Sequence, residues 1–235
     1  MALEERTRLL LGDSGVEKLK NAHVILFGLG GVGGYTAEAL ARAGVGRLTL
    51  VDADVVSDTN RNRQILALCS TVGQPKAELA ARRIRDIDPG CRVTALQLFY
   101  GPDTADRVPF AGVDYVVDAI DTVTAKLEII RRAQEAGVLV IFCMGTGNKL
   151  YPEKLCLTTL KKTEGCPLAR VMRVECRKRG LADIPVVYST EPARKCTVPD
   201  TGGTGRHAPG SVSFVPGAAG LLLAGKVVRD IAGAG

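Results

Sequence analysis

The stretch His23-Val-Ile-Leu-Phe-Gly-Leu-Gly-Gly-Val-Gly-Gly34, running directly into Tyr35-Thr-Ala-Glu-Ala-Leu-Ala-Arg-Ala-Gly44, restricts the fold more than any other part of the chain. Five apolar or β-prone residues lead into Gly28, Gly30, Gly31 and Gly33, and a small-residue helical pattern begins at once. The pattern predicts a strand, a tight turn and a helix N-terminus. Glycines let the backbone turn sharply and lie against a ligand, while the free N–H groups of the first helical turn attract a phosphate anion. A tight βα turn without a ligand has the same spacing, but the strand before and the helix after favour phosphate. The turn does not say which nucleotide.

Strand and helix then alternate. Arg47-Leu-Thr-Leu-Val-Asp52 predicts a second strand ending in an acid. That acid falls about 20 residues past the glycines, where a nucleotide-binding fold places the carboxylate that takes ribose hydroxyls. Further strands are predicted at 92–98, 113–118 and 138–143, and helices at 76–87 and 123–136. This is an α/β, Rossmann-like, mostly parallel sheet with helices on both faces. A polar run from Asp54 to Gln64 interrupts it where a plain NAD-binding fold has a short crossover, and long loops in compact folds are usually functional. Arg63 and Lys76, each alone an ordinary surface charge, become a triphosphate clamp if they flank one nucleotide site. Asp121, at the carboxyl end of the 113–118 strand, either helps hold Mg²⁺ or caps the following helix.

Residues 4–20 read as one or two short helices. Beyond residue 148 the alternation stops. Short strands are expected near 155–159, 186–189 and 211–214, extending the sheet into a mixed one, with a basic helix at 168–179 and a glycine-rich run at 199–210. A terminal apolar helix at 215–231 is either core or a subunit interface. We expect one domain over 1–235, with a nucleotide-binding half at about 1–148 and a substrate and dimer half at about 149–235.

Composition narrows the function classes. With 46% hydrophobic residues over 235 positions the chain can bury a sizeable core. No run approaches the roughly 20 apolar residues of a membrane span, and Glu4, Glu5, Arg6 and Arg8 leave no signal-peptide segment, so we expect no membrane and a cytoplasmic location. Seven cysteines without a Cys-x-x-Cys pair, beside two histidines, argue against a zinc cage or a disulfide framework. The net charge of +6 suits an anionic partner, for which ATP, RNA or an acidic protein would all qualify.

Taken together, Gly-x-Gly-Gly-x-Gly at 28–33, Asp52-x-Asp54, Asn60-x-x-Arg63-Gln64, Lys76 and Asp121 resemble the ATP-dependent adenylating enzymes of the ThiF/MoeB/HesA superfamily, related to ubiquitin-activating enzymes. Within it, Arg6-Thr-Arg-Leu-Leu-Leu-Gly12, the segment opening at Cys166, Tyr188-Ser-Thr-Glu191 and the stretch from Gly210 to Pro216 are similar to the branch that dehydrates threonylcarbamoyladenosine in tRNA. The resemblance implies ATP and Mg²⁺ as cofactors. It implies a nucleotide site of Gly28, Gly30, Gly31, Gly33, Asp52, Asp54, Asn60, Arg63, Gln64, Lys76 and Asp121, with Gly31 near the phosphates, Asp52 on ribose, Asn60, Arg63 and Lys76 on the triphosphate, and Asp121 on the metal. Arg63, Lys76 and Asp121 are then catalytic, joined by Arg6, which is expected to cross a homodimer to the partner's ATP, with Arg8 as the alternative.

The implied reaction is adenylation of the threonyl carboxylate, followed by loss of AMP as the ring closes to cyclic threonylcarbamoyladenosine. The alternative is adenylation of the C-terminal carboxylate of a ubiquitin-like sulfur carrier; those relatives commonly hold zinc through two Cys-x-x-Cys pairs, which this chain lacks. A third reading is a nucleotide-sensing module without turnover, for which a charge clamp is unnecessary. The partner would be tRNA carrying threonylcarbamoyladenosine, docked on a basic set of Lys149, Lys154, Lys161, Lys162, Arg170, Arg173, Arg177, Lys178 and Arg179. A sulfur-relay protein is a further partner candidate, through Cys166 or Cys196, although a packed thiol is the simpler reading of each. His23 reads as structural and His207 receives no role.

Overall fold

In the computed structural model of the chain the described residues are 3–195 and 209–234. The strands are β1 (His23–Phe27), β2 (Arg47–Val51), β3 (Arg92–Leu96), β4 (Tyr115–Asp118), β5 (Leu139–Cys143), β6 (Leu155–Thr159) and β7 (Pro185–Ser189). The helices are α1 (Glu5–Asn21), α2 (Gly33–Arg42), α3 (Lys76–Ile87), α4 (Val123–Ala136), α5 (Pro167–Lys178) and α6 (Phe214–Ala232). All seven strands share one sheet in the order β3-β2-β1-β4-β5-β7-β6. Every neighbouring pair is parallel except β6 with β7, so the expected mixed sheet is present.

The local reasons are visible in the sequence. Each of the five residues of β1 is buried, and a continuous apolar run is what a parallel strand covered on both faces requires. In α3, Ala77, Ala80, Ala81 and Ile84 recur at helical spacing and are buried while Arg82 and Arg83 face outward. Gly137, in the left-handed region at φ 66°, ends α4. Helices α1, α2, α3 and α6 bring Leu19, Leu40, Ile84 and Leu223 into one core on one face of the sheet. On the other face α4, α5 and the 98–113 connection build a second core around Phe27, Ile129 and Met172.

Two expectations need correction. No strand forms at 211–214. There the chain is held by single contacts, Asn148 N–H to the Gly210 carbonyl at 2.7 Å and the Asn62 amide to the Ser211 carbonyl at 3.0 Å, before α6 starts at Phe214. And β3 is regular only to Leu96, not to Leu98; one further backbone bond, Leu98 N–H to the Asp52 carbonyl at 3.3 Å, follows before the chain turns toward the mouth of the cavity described below.

Strands β2 and β4 lie on opposite sides of β1. Successive connections therefore leave the sheet in opposite directions at β1, and the resulting crevice outside the carboxyl ends is where open α/β sheets bind ligands.

Candidate active site

The glycine turn occupies that crevice. Gly28 has φ +85°, and a Cβ there would meet the Ala119 carbonyl oxygen at 2.8 Å. At Gly33 an added Cβ would lie 1.8 Å from the Gly28 carbonyl oxygen, so α2 can start this close to β1 only with glycine. Gly33 therefore shapes the turn without lining the cavity, whereas Gly28, Gly30 and Gly31 line it.

The cavity measures about 380 Å³. Its walls gather Asp52, Asp54, Asn60, Arg63, Gln64, Lys76 and Asp121 from the ends of β2 and β4, the polar crossover and the start of α3. Asp52 is fixed at both oxygens, Oδ2 accepting the Leu29 N–H at 2.6 Å and Oδ1 the Asp54 N–H at 2.8 Å. Burial pushes its carboxyl upward, against the pull of these two bonds. Each oxygen retains acceptor capacity for a hydroxyl donor such as a ribose.

The cations sit across from it. Lys76, only 4% exposed, donates to Asp54 Oδ2 at 2.9 Å, which uses one of its three protons and leaves two for a ligand. Arg63 is steadied by Nη1 bonds to the Thr59 carbonyl and Asn62 Oδ1, both 2.9 Å. Asn60 is buried and closes its own turn by accepting the Ser57 N–H at 3.1 Å. Gln64 Oε1 is buried in the cavity wall without a hydrogen-bond partner among the described residues. An orphaned buried acceptor costs about 1–3 kcal/mol, a deficit that a bound donor removes.

Asp121 is exposed at the cavity lip and its carboxylate makes no hydrogen bond to a described residue. Capping does not explain it, because the N-cap of α4 is Thr122 and no side chain caps that helix. Beneath it lies a pair that sequence reasoning missed. Asp118 and Lys126 are both fully buried, with Lys126 Nζ 2.7 Å from Asp118 Oδ2 and 2.9 Å from the Cys143 carbonyl, while Asp118 Oδ1 accepts the Ile120 N–H at 2.9 Å. The pair ties the ends of β4 and β5 together under the segment that carries Asp121.

Leu98, read as the last residue of a strand, and Phe99 and Tyr100, given no role, also line the cavity and were missed. Phe99 is 67% exposed there, an apolar face at the mouth of the cavity. Arg6 is exposed on α1 and lies outside this cavity, and Arg8 pairs with Asp13 at 3.1 Å.

The basic set does not form one surface. Lys149 is buried, and Arg173 donates to the Thr163 carbonyl at 2.7 Å. Lys154 precedes β6 and Lys161 and Lys162 follow it, so they occupy opposite ends of the sheet, roughly 17 Å apart along five strand residues. Lys178 and Arg179 are paired with Glu175. Cys166 is buried, and Cys196, His207 and most of the 199–210 run lie outside the described residues. His23 is structural as expected, its Nε2 2.9 Å from Thr49 Oγ1 between β1 and β2.

A family model described as the ThiF family matches residues 4–234. The chain belongs to the ThiF family. Among its relatives, a Bacillus subtilis protein named tRNA threonylcarbamoyladenosine dehydratase is 41% identical, the match covering 96% of this chain and 93% of the relative. Solved structures of the Escherichia coli tRNA N6-threonylcarbamoyladenosine dehydratase agree with this fold. Its complex with ATP has a TM-score of 0.85 at 31% identity, covering 100% of this chain and 98% of that one. Its complex with AMP has a TM-score of 0.88 at 33% identity, covering 97% and 93%. A Salmonella typhimurium protein named molybdopterin-synthase adenylyltransferase matches less of the chain: it is 40% identical over 49% of this chain and 46% of its own length.

Proposed function

We infer that the chain is an ATP-dependent enzyme that dehydrates threonylcarbamoyladenosine in tRNA to its cyclic form. The observation that carries this is the convergence of Asp52, Arg63, Lys76 and Asp121 on the glycine turn, in a chain whose near full-length relatives bear that activity in their names. The relatives named adenylyltransferases, which stand for the other reading of such a site, match 49% to 63% of the chain.

The chemistry follows from the charges. The threonyl carboxylate attacks the α-phosphate of ATP and pyrophosphate leaves. The carbamoyl nitrogen then closes on the activated carbonyl, and AMP carries away the oxygen that makes the step a dehydration. No protein nucleophile is required. Asp52 orients the ribose, the glycine turn carries phosphate oxygens on its N–H groups, and Arg63 with Lys76 neutralises charge that grows at phosphorus. Phe99 offers a face for the adenine.

Asp121 fits a magnesium ion held mainly by the nucleotide, since Mg²⁺ is usually bound by one or two carboxylates plus phosphate oxygens and water, and the described residues contain no three-residue cage. Such an ion would supply charge neutralisation at the bridging phosphates.

We further propose a homodimer. Leu9 and Leu10, 86% and 87% exposed on α1, lie one turn from Arg6. A second subunit covering this face would bring Arg6 to the partner's ATP. No helix among the described residues is long and apolar enough to cross a membrane, and we place the enzyme in the cytoplasm with its tRNA. A sulfur-relay partner is left out of the proposal: of the two thiols considered for it, Cys166 is buried and Cys196 lies outside the described residues.

The test is incubation with ATP, Mg²⁺ and modified tRNA, followed by mass spectrometry of the nucleosides. Loss of one water from threonylcarbamoyladenosine, with AMP as coproduct, is expected; ADP as the coproduct or an unchanged nucleoside would overturn the reading. Lys76→Ala should lower the rate about 10²-fold or more while leaving the fold intact.

A further inference from the structure

We propose that Tyr151, Lys154 and Arg194 form the point where the backbone phosphates of the RNA substrate dock beside the nucleotide cavity. The proposal rests on the reading of tRNA as substrate and adds to it the place at which the RNA is held.

The three side chains come from the carboxyl edge of the sheet that also carries the cavity. Tyr151 and Lys154 lie between β5 and β6, and Arg194 follows β7. Because β7 runs parallel to β5 and β6 runs back along it, the end of β5, the end of β7 and the start of β6 share that edge. Strands β7 and β6 are two and three places from β4, which delivers Asp121. At a strand spacing of about 4.8 Å that is roughly 10–15 Å. The offset suits the substrate: the reacting carboxylate hangs from the base, and the phosphates of the same nucleotide lie a nucleoside's length away.

The cluster is built rather than scattered. Lys154 Nζ lies 5.0 Å and Arg194 Cζ 5.2 Å from the centre of the Tyr151 ring, within the range where a ring face attracts a cation. Glu191, 3% exposed, anchors the arrangement. Its Oε2 accepts the N–H groups of Leu150 at 2.9 Å and Tyr151 at 3.0 Å, and its Oε1 lies 3.2 Å from Arg194 Nε. The Arg194 backbone N–H is itself fixed on the Asn148 carbonyl at 2.9 Å.

Lysine and arginine ordinarily lose rotamer freedom when they seize a phosphate. Here the ring and the buried carboxylate have met much of that cost before the ligand arrives. Among the described residues nothing bonds the terminal nitrogens of Arg194, which suits them to a bidentate phosphate contact, while Lys154 adds a point charge. Both are exposed, as is Lys195 beside them, against the one exposed acid of the same turn, Glu153. Phosphate contacts of this kind position RNA without reading its sequence, and the sparse aromatic content of the chain agrees with such a mode.

The experiment measures binding of the modified tRNA to the full chain at several salt concentrations, beside ATP affinity and thermal unfolding of each variant. Lys154→Ala with Arg194→Ala should weaken tRNA binding at least about fivefold and flatten the salt dependence by roughly two phosphate contacts, with ATP affinity unchanged and thermal unfolding still cooperative. Tyr151→Phe should bind as wild type and Tyr151→Ala should not. Lys161→Ala with Lys162→Ala, at the far end of β6, should leave binding intact. Wild-type binding by the Lys154 and Arg194 double variant overturns the surface but not the reaction. A wild-type chain that neither binds nor converts the tRNA overturns both, and loss confined to an acidic peptide competitor assigns the cluster to a protein partner instead.

Discussion

Lys126 shows what a single side chain contributes below the site. Its ammonium and the Asp118 carboxylate are shut away from water, and burial pushes that carboxyl upward while Lys126 pulls it back. A pair of this kind need not exceed well-packed apolar residues in stability, but removing one member strands the other charge. Lys126→Met should therefore cost about 3–5 kcal/mol, read as a drop of several degrees or more in the unfolding temperature. Restoring neutrality with Asp118→Leu in the same chain should recover part of it. An unchanged unfolding temperature for the single variant would show that the pair does not hold the 118–122 segment. The sequence did not reveal this residue, since a lysine in the first turns of an amphipathic helix reads as solvated until the ends of β4 and β5 close over it. Gly28, Asp52 and Asp121 could be placed at one edge because they fall at strand ends and in one turn, whereas Arg63 and Lys76 read alone as surface charges and only the resemblance assigned them to the site; all five line one cavity. Phe99 was not legible, because an apolar residue after a strand carries no mark of facing a cavity.

At the scale of elements, the parallel strands were readable as uninterrupted apolar runs, and β1 is buried throughout. The false strand at 211–214 shows the limit: whether a short segment pairs depends on neighbours distant in sequence, here Asn62 and Asn148. His23 joins β1 to β2 through Thr49 and makes the sheet sensitive to acid. Its pKa is lowered, first by burial and then by Arg47. Above the unfolded value near 6.5 the ring is neutral in both states and contributes no pH dependence. As pH falls below that value the unfolded chain takes up a proton that the folded one refuses, so stability is lost down to the lowered folded pKa, at most about 1.4 kcal/mol per pH unit. Thermal unfolding of wild type and His23→Gln at pH 7.5 and 5.5 separates this contribution from that of the carboxylates. The wild type should lose more stability on acidification than the variant, and equal losses would remove His23 as the cause.

At the scale of the whole molecule, one edge of the sheet carries both the nucleotide cavity and the cluster at Tyr151, while the basic residues that looked like one set in sequence divide between the two ends. Sequence order could not show this, because the reversal of β6 puts Lys154 and Lys161 at opposite ends of a five-residue strand. Arg6 is the residue that a single subunit leaves outside the cavity, and subunit mixing tests whether it serves the partner. Arg6→Ala keeps a complete cavity but donates nothing; Lys76→Ala donates an arginine but has a damaged cavity. Each homodimer is impaired at both sites. In a mixed dimer with two-fold symmetry, one cavity has its own Lys76 and receives the partner's Arg6, while the other has neither. Free exchange of equal amounts gives about half mixed dimers, each with one intact site, so activity should return to about a quarter of the wild-type value. An arginine acting within its own subunit gives no intact site in any combination, and activity that stays at the level of the separate variants would exclude the exchange. Charged substitutions at Leu9 and Leu10 should abolish the recovery by keeping the subunits apart, which makes the exposed face of α1 and the reach of Arg6 parts of one prediction.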